Sequence, residues 1–224
     1  MKKILFKKNH FILMPSGILY WPDEFSLIIA DLHLEKSSYF AKYGSLLPPY
    51  DSFETLTKLK ENLLTLKVDK IILLGDIFHD NGAYERLERK SKLILDYITN
   101  NFYTIFVFGN HDKNINIPNT KKYSYYKIKD IIFSHQPSKL GLYEIFGHYH
   151  PKAYLKFRNK KISKNCFVVT KKKICLPAFG VYTGGIDVQN KVFDGFLESK
   201  RDFYLIDEKN IFKFGSNQLQ SKLK

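Results

Sequence analysis

The sequence predicts a layered α/β core with a functional site at the carboxyl ends of its strands, backed by a second sheet. Three observations carry this. Apolar, β-branched runs alternate with helix-length amphipathic stretches over the first half of the chain. Each of those runs ends in a polar residue. Beyond residue 120 the helical spacing stops and short strand-like runs follow one another. At 224 residues, 44% hydrophobic and 16% aromatic, the chain is expected to form one domain over residues 1–224. Its 26% charged content is close to globular averages and excludes a disordered or collagen-like chain.

The elements follow in order. Residues 11–14 and 18–21 flank Pro15-Ser16-Gly17, a hairpin signal. Ser-Leu-Ile-Ile-Ala at 26–30 reads as a buried strand running into Asp31. Asp51 followed by Glu54 reads as an N-cap and capping box. Phe53, Leu56, Leu59, Leu63, Leu64 and Leu66 then recur at helical spacing, predicting a helix near 51–66. Lys70–Leu74 is a second buried strand, ending in Gly75-Asp76. Residues 83–100 predict another amphipathic helix through Leu87, Leu93, Ile94, Tyr97 and Ile98. Thr104–Phe108 is a third strand, ending in Gly109-Asn110. The second half predicts strands at 123–128, 131–134, 143–146, 152–157, 166–170, 173–176, 192–197 and 203–206.

Apolar runs such as Leu27–Ala30 fall far short of the 18 or so residues that cross a bilayer, so no membrane association is expected. Met1-Lys2-Lys3 resembles the start of a signal peptide, but Lys7, Lys8, Asn9 and His10 break the apolar stretch that should follow. Two cysteines, Cys166 and Cys175, cannot build a disulfide framework and read as buried thiols. A cytoplasmic location is the expectation. The net charge of +14 suggests an anionic partner such as nucleic acid. It is carried by 32 Lys and only four Arg, a skew that codons of an AT-rich genome also give whatever the function.

The histidines point to the chemistry. All but His10 fall beside Asp, Asn or Gly, or just after a predicted strand: Asp31-Leu32-His33, Gly75-Asp76-Ile77-Phe78-His79-Asp80, Gly109-Asn110-His111-Asp112, Ser134-His135 and Gly147-His148-Tyr149-His150. A lone histidine is more often structural than a ligand; six at strand ends, interleaved with carboxylates and an amide, indicate metal binding. Imidazoles, carboxylates and one amide oxygen without thiolate suit Mn²⁺, Fe²⁺ or Zn²⁺. Asp31, His33, Asp76, Asn110, His135, His148 and His150 are seven potential ligands, too many for one ion with an open position. They are the right number for two ions sharing a carboxylate.

These five blocks, in this order over residues 31–150, resemble the signature of the calcineurin-like metallophosphoesterases: Asp-x-His, Gly-Asp, Gly-Asn-His-Asp/Glu, a lone His, then Gly-His-x-His. The resemblance implies a four-layer α/β/β/α sandwich of two packed mixed sheets. It implies that Asp31, His33 and His150 hold one metal and Asn110, His135 and His148 the other, with Asp76 bridging. His111 matches the family's catalytic histidine, with Asp112 orienting its ring, and His79 receives no ligand role.

Asp31-Leu32-His33-Leu34-Glu35-Lys36, Leu46-Leu47-Pro48-Pro49-Tyr50-Asp51, Leu176-Pro177-Ala178-Phe179-Gly180 and Tyr182-Thr183-Gly184-Gly185 look like the ligase-associated DNA damage response endonuclease (PdeM) branch. That branch implies a metal-dependent phosphodiesterase or endonuclease with two divalent ions, foremost Mn²⁺. It also implies DNA as a partner and association with a DNA ligase, a helicase and an exonuclease. Two other functions fit the same residues: a phosphoesterase on a small nucleotide or lipid-sugar diester, and a low-activity metal-binding scaffold for a protein partner. Glu35 and Lys36 read as supports for the ligands or as a local ion pair. Lys156, Arg158, Lys160, Lys161 and Lys164 read as a solvated hairpin or a DNA-backbone contact.

Overall fold

Runs that are apolar at every position need cover on both faces, and helices that are apolar on one side need a sheet beneath them. The computed structural model, which describes residues 1–45, 47–138, 142–157 and 160–215, stacks them in that way. The first sheet has seven strands in sequence order: β1 (Lys2–Phe6), β2 (Asn9–Leu13), β3 (Leu19–Trp21), β4 (Ser26–Ala30), β5 (Lys70–Leu74), β6 (Tyr103–Val107) and β7 (Thr120–Tyr123). Strands β1 to β4 run antiparallel to their neighbours, and β4 to β7 run parallel. The helices are α1 (Lys36–Ala41), α2 (Asp51–Thr65), α3 (Ala83–Arg86) and α4 (Arg89–Asn101).

Side chains alternate across a strand, so β4 and β5 divide their residues between two cores. Leu27, Ile29, Ile71 and Leu73 pack beneath α2 and α4, against Leu56, Leu59, Leu63, Leu95 and Ile98. Ile28, Ala30, Ile72 and Leu74 face the other way, against Ile131, Phe133, Ile145, Phe167 and Ile174 of the second sheet. That sheet contains β8 (Tyr125–Ile128), β9 (Ile131–Ser134), β10 (Tyr143–Phe146), β11 (Pro151–Phe157), β12 (Lys160–Val169), β13 (Lys173–Cys175), β14 (Ile186–Asp187), β15 (Asp202–Asp207) and β16 (Asn210–Gly215). Their order is β14-β11-β12-β13-β10-β9-β8, with β15 joining the C-terminal half of β12 and β16 joining β15. Among the described residues no helix is long and apolar enough to cross a membrane.

The second sheet's outer face, with Phe146, Cys166, Val168 and Cys175, is covered by Val188, Phe193 and Leu197. The layers are those expected, and the outermost is a single 3-10 turn, Lys191–Gly195, with flanking coil. The strand expected at 192–197 is this turn. The Asn190 side chain accepts from the Val192 amide at 2.9 Å and starts a turn where the apolar residues alone suggested extension.

Three other expectations are corrected. The helix over 83–100 breaks at Leu87 and Glu88, both extended, where Leu87 enters the core and Arg86 is held by Asp80 and Ser38. The strand at 123–128 divides at Ser124 into β7 and β8, which belong to different sheets. Asp51 is not an N-cap: its carboxylate reaches back to α1, accepting from the Ser37 amide and hydroxyl. Arg158 of the basic hairpin and Leu46 of the Pro-Pro loop lie outside the described residues.

Lys58 on α2 gives the fold a pH dependence. Its ammonium donates to the Phe179 carbonyl at 3.0 Å and lies 3.8 Å from the centre of that ring. Burial pushes it down from 10.5 to about 8. The unfolded chain therefore binds this proton more tightly than the native one, so native stability rises with pH between those two values. In paired urea titrations against Lys58→Met, wild type should gain up to about 3 kcal/mol on the variant from pH 8 to 10.5. A difference that stays constant across that range would contradict the assignment.

Candidate metal centre

The parallel strands end together, and their following loops carry the polar residues. Asp31 and His33 follow β4, Asp76 follows β5, and Asn110, His111 and Asp112 follow β6. His135 follows β9, and His148 and His150 follow β10. Asp31, His33, Asp76, His148 and His150 all have positive φ, between 43° and 71°. Non-glycine residues rarely adopt this conformation, and five of them in one site mark backbone strain held by its surroundings.

The loops hold one another. His33 N donates to Asp76 O at 2.9 Å, and Leu34 N to Ile77 O at 2.8 Å. His148 N donates to Asp31 Oδ2 at 2.8 Å, and His111 N to Asp76 Oδ1 at 3.1 Å. Two glycines permit this approach. A Cβ on Gly109 would collide with the Asp76 carboxylate, and one on Gly147 with Asp31 Oδ2 and Ala30 Cβ. The Leu176–Gly185 segment supports the first ligand from behind: Phe179 N donates to Ala30 O, and Gly180 N to Asp31 O.

Six of the seven expected ligands form two triads, Asp31-His33-His150 and Asp76-His135-His148, each with its donor atoms within 4.8 Å of one another. His33 Nε2 and His150 Nε2 face each other at 3.3 Å, and His150 Nε2 lies 3.4 Å from Asp31 Oδ1. His135 Nε2 lies 3.3 Å from Asp76 Oδ2 and 3.1 Å from His148 Nδ1, and its Nδ1 is 3.6 Å from Asp31 Oδ1, so the triads adjoin. Asn110 is exposed and lines a cleft of about 450 Å³ with Lys113, Tyr125, His135 and Gln136. A larger cavity, about 690 Å³, is lined by Lys3, Lys171, Asp202 and Lys213 and holds none of the histidines.

Electrostatics agree with a cation site. Asp31 Oδ1 is fully buried without a hydrogen-bond partner, a costly state for a carboxylate oxygen that a metal ion would relieve. Burial and the charge of His150 push His33 down to about 2, keeping its ring neutral and able to ligate. Burial opposes protonation of His135, but its hydrogen bond to Asp76 and the charges of Asp31 and Asp76 outweigh it and lift the ring to about 9, so this histidine must give up a proton to ligate. Burial likewise pushes Asp76 up, yet the bond and charge of His135 and the His111 amide hold it well below the usual carboxylate range. The donor set fits two divalent ions.

His111 is half-exposed, with Nε2 3.9 Å from Asp76 Oδ2. Asp112 does not orient its ring. Its buried carboxylate accepts from the amides of Gly109 at 2.8 Å and Ile77 at 2.6 Å, tying the loop after β6 to the loop after β5. The His111 ring stacks on His79 instead, at 5.4 Å and 13°. His79 Nδ1 lies 3.4 Å from His33 Nδ1, so this histidine braces both a ligand and His111. Glu35 forms no pair with Lys36; it accepts from Ser52 Oγ at 2.8 Å and Ser38 Oγ at 2.7 Å. Gln136, whose Nε2 lies 3.3 Å from His148 Nε2, escapes the sequence reading, although its place directly after His135 was a signal.

The chain belongs to the calcineurin-like phosphoesterase family, which matches residues 26–208, and is a metal-dependent phosphoesterase with the residues for a dinuclear site. Among solved structures it is similar to the nuclease MPE of Pseudomonas putida. The identity is 24%, covering 95% of this chain and 99% of that one, with a TM-score of 0.74, which shows a shared fold. Weaker likenesses are to AQ665 of Aquifex aeolicus (21% identity, 56% and 78% covered, TM-score 0.38) and zinc-bound Vps29 of Entamoeba histolytica (13%, 85% and 97%, 0.36). No curated protein sequence matches the chain.

Proposed function

We propose that this protein is a Mn²⁺-dependent phosphodiesterase that cleaves DNA internally, in DNA repair beside a ligase, a helicase and an exonuclease. The observation carrying the DNA-cleaving reading is two adjoining ligand triads beside an open cleft, flanked by lysines, in a chain of net charge +14. Lys113 lines the cleft, and Lys36 and Lys152 lie close enough that the charge of Lys152 lowers the Lys36 ammonium further, after burial. The repair role and its partners follow from the sequence resemblance.

Asp31, His33 and His150 would hold one ion, and His135, His148 and Asn110 the other, with Asp76 shared. When bound, such a pair would supply charge neutralisation at the phosphodiester and a hydroxide nucleophile near neutral pH. His111, half-exposed beside Asp76, donates a proton to the leaving oxygen. Lys36, Lys113 and Lys152 take the neighbouring phosphates.

The test is turnover of the Mn²⁺-loaded protein on plasmid DNA, single-stranded DNA and a small aryl diester across a salt series. Duplex affinity should fall by about 0.9 log units per log unit of salt for each phosphate contacted, while the small diester's KM barely moves. Brisk diester turnover without DNA cleavage would favour the small-diester reading.

A further inference from the structure

A line of aromatic rings runs outward from the metal centre. His111 stacks on His79; Tyr39 packs edge-on against His79 at 4.7 Å, and Phe40 lies 5.6 Å from it. Tyr43 continues the line, 5.3 Å from Tyr39 and 72% exposed. Residues 39, 40 and 43 belong to α1 and the turn after it, a segment absent from the predicted elements. Buried polar contacts hold this helix of six residues in place. Glu35, buried at its start in the left-handed region, accepts from Ser38 and Ser52. Asp51, also buried, accepts from the Ser37 amide and hydroxyl. Two buried carboxylates and three serines thus fix a short helix that buries none of its own aromatic rings fully.

Rigid support beneath exposed rings is what a preorganised recognition surface requires. Tyr39 and Phe40 reach the site through His79, Tyr43 lies one ring further out, and Lys36 Nζ sits 5.9 Å from the centre of the Phe40 ring, adding positive charge along the same edge. A planar base on a strand whose phosphate occupies the metal centre matches this surface. Stacking on aromatic rings beside a cationic groove is how unpaired strands are held without sequence preference. We infer that Tyr43, at the outer end of the Tyr39-His79-His111 ring line, is a substrate-positioning residue that stacks an unpaired base further along the strand from the scissile phosphate. The inference rests on the DNA-cleaving reading above.

It is tested with the full-length Mn²⁺-loaded protein on a single-stranded oligonucleotide and on the same strand made abasic through its central segment. Tyr43→Ala should raise KM for the base-bearing strand on the order of tenfold with kcat little changed, and Tyr43→Phe should restore it. On the abasic strand wild type and Tyr43→Ala should converge, because neither has a base to stack. Equal KM for wild type and Tyr43→Ala on the base-bearing strand overturns the inference and leaves the DNA reading intact. So does a tenfold loss that persists on the abasic strand, or one that Tyr43→Phe does not restore. Turnover of methyl 4-nitrophenyl phosphate without cleavage of either strand overturns both.

Discussion

Asp76→Asn is expected to lower bound metal below two ions per chain and to cut turnover by about 10³-fold. The site places Asp76 where one carboxylate serves many groups: Oδ2 lies 3.3 Å from His135 Nε2 and 3.9 Å from His111 Nε2, while Oδ1 accepts from the His111 amide. An amide fills the same volume and can keep the bond to His111 N, so the loops should stay in place. It carries no charge, however, and several kcal/mol of transition-state charge stabilisation goes with the charge, at about 1.4 kcal/mol per decade of rate. Metal analysis, turnover and thermal unfolding on one preparation separate loss of the ions from loss of the fold. A variant holding two ions and turning over normally would show that Asp76 is not the shared ligand.

His111→Ala should act differently, with metal content unchanged and turnover down about 10²–10⁴-fold, the usual range for a lost general acid or base. Its ring lies outside both triads, stacked on His79 and half open to solvent, so its removal leaves every triad ligand in place. The loss should shrink as the leaving group improves, because a good leaving group needs little protonation. Measured over a series of aryl diesters, an equal loss for every leaving group would exclude proton donation. His79→Ala offers a comparison, since that ring braces both His111 and His33.

What could be read from the sequence and what could not divide along a physical line. Asp31, Asp76 and His148 were legible because each sits where an apolar strand gives way to a polar loop, a local property of the chain. The same holds for β4, β5 and α2. Asp112 was misread because, besides the nearby Gly109 amide, its partners are the amides of Ile77 and Phe78, 35 and 34 residues away. Asp51 was misread for the same reason: its spacing to Glu54 imitates a capping box, but its carboxylate is spent on Ser37 across the turn. Helix α1 has no amphipathic repeat long enough to register, and its stability comes from these side chains rather than from propensity. The turn at Lys191–Gly195 looked extended because two phenylalanines near one another carry no period.

The site carboxylates divide their oxygens between holding the loops and facing the cation site. Asp31 gives one oxygen to the His148 amide and turns the other, without a hydrogen bond, toward His150 and His135; Asp76 gives one to the His111 amide; Asp112 gives both to the backbone. The loops after β4 and β10, and those after β5 and β6, are therefore laced together by amides and carboxylates of the chain itself.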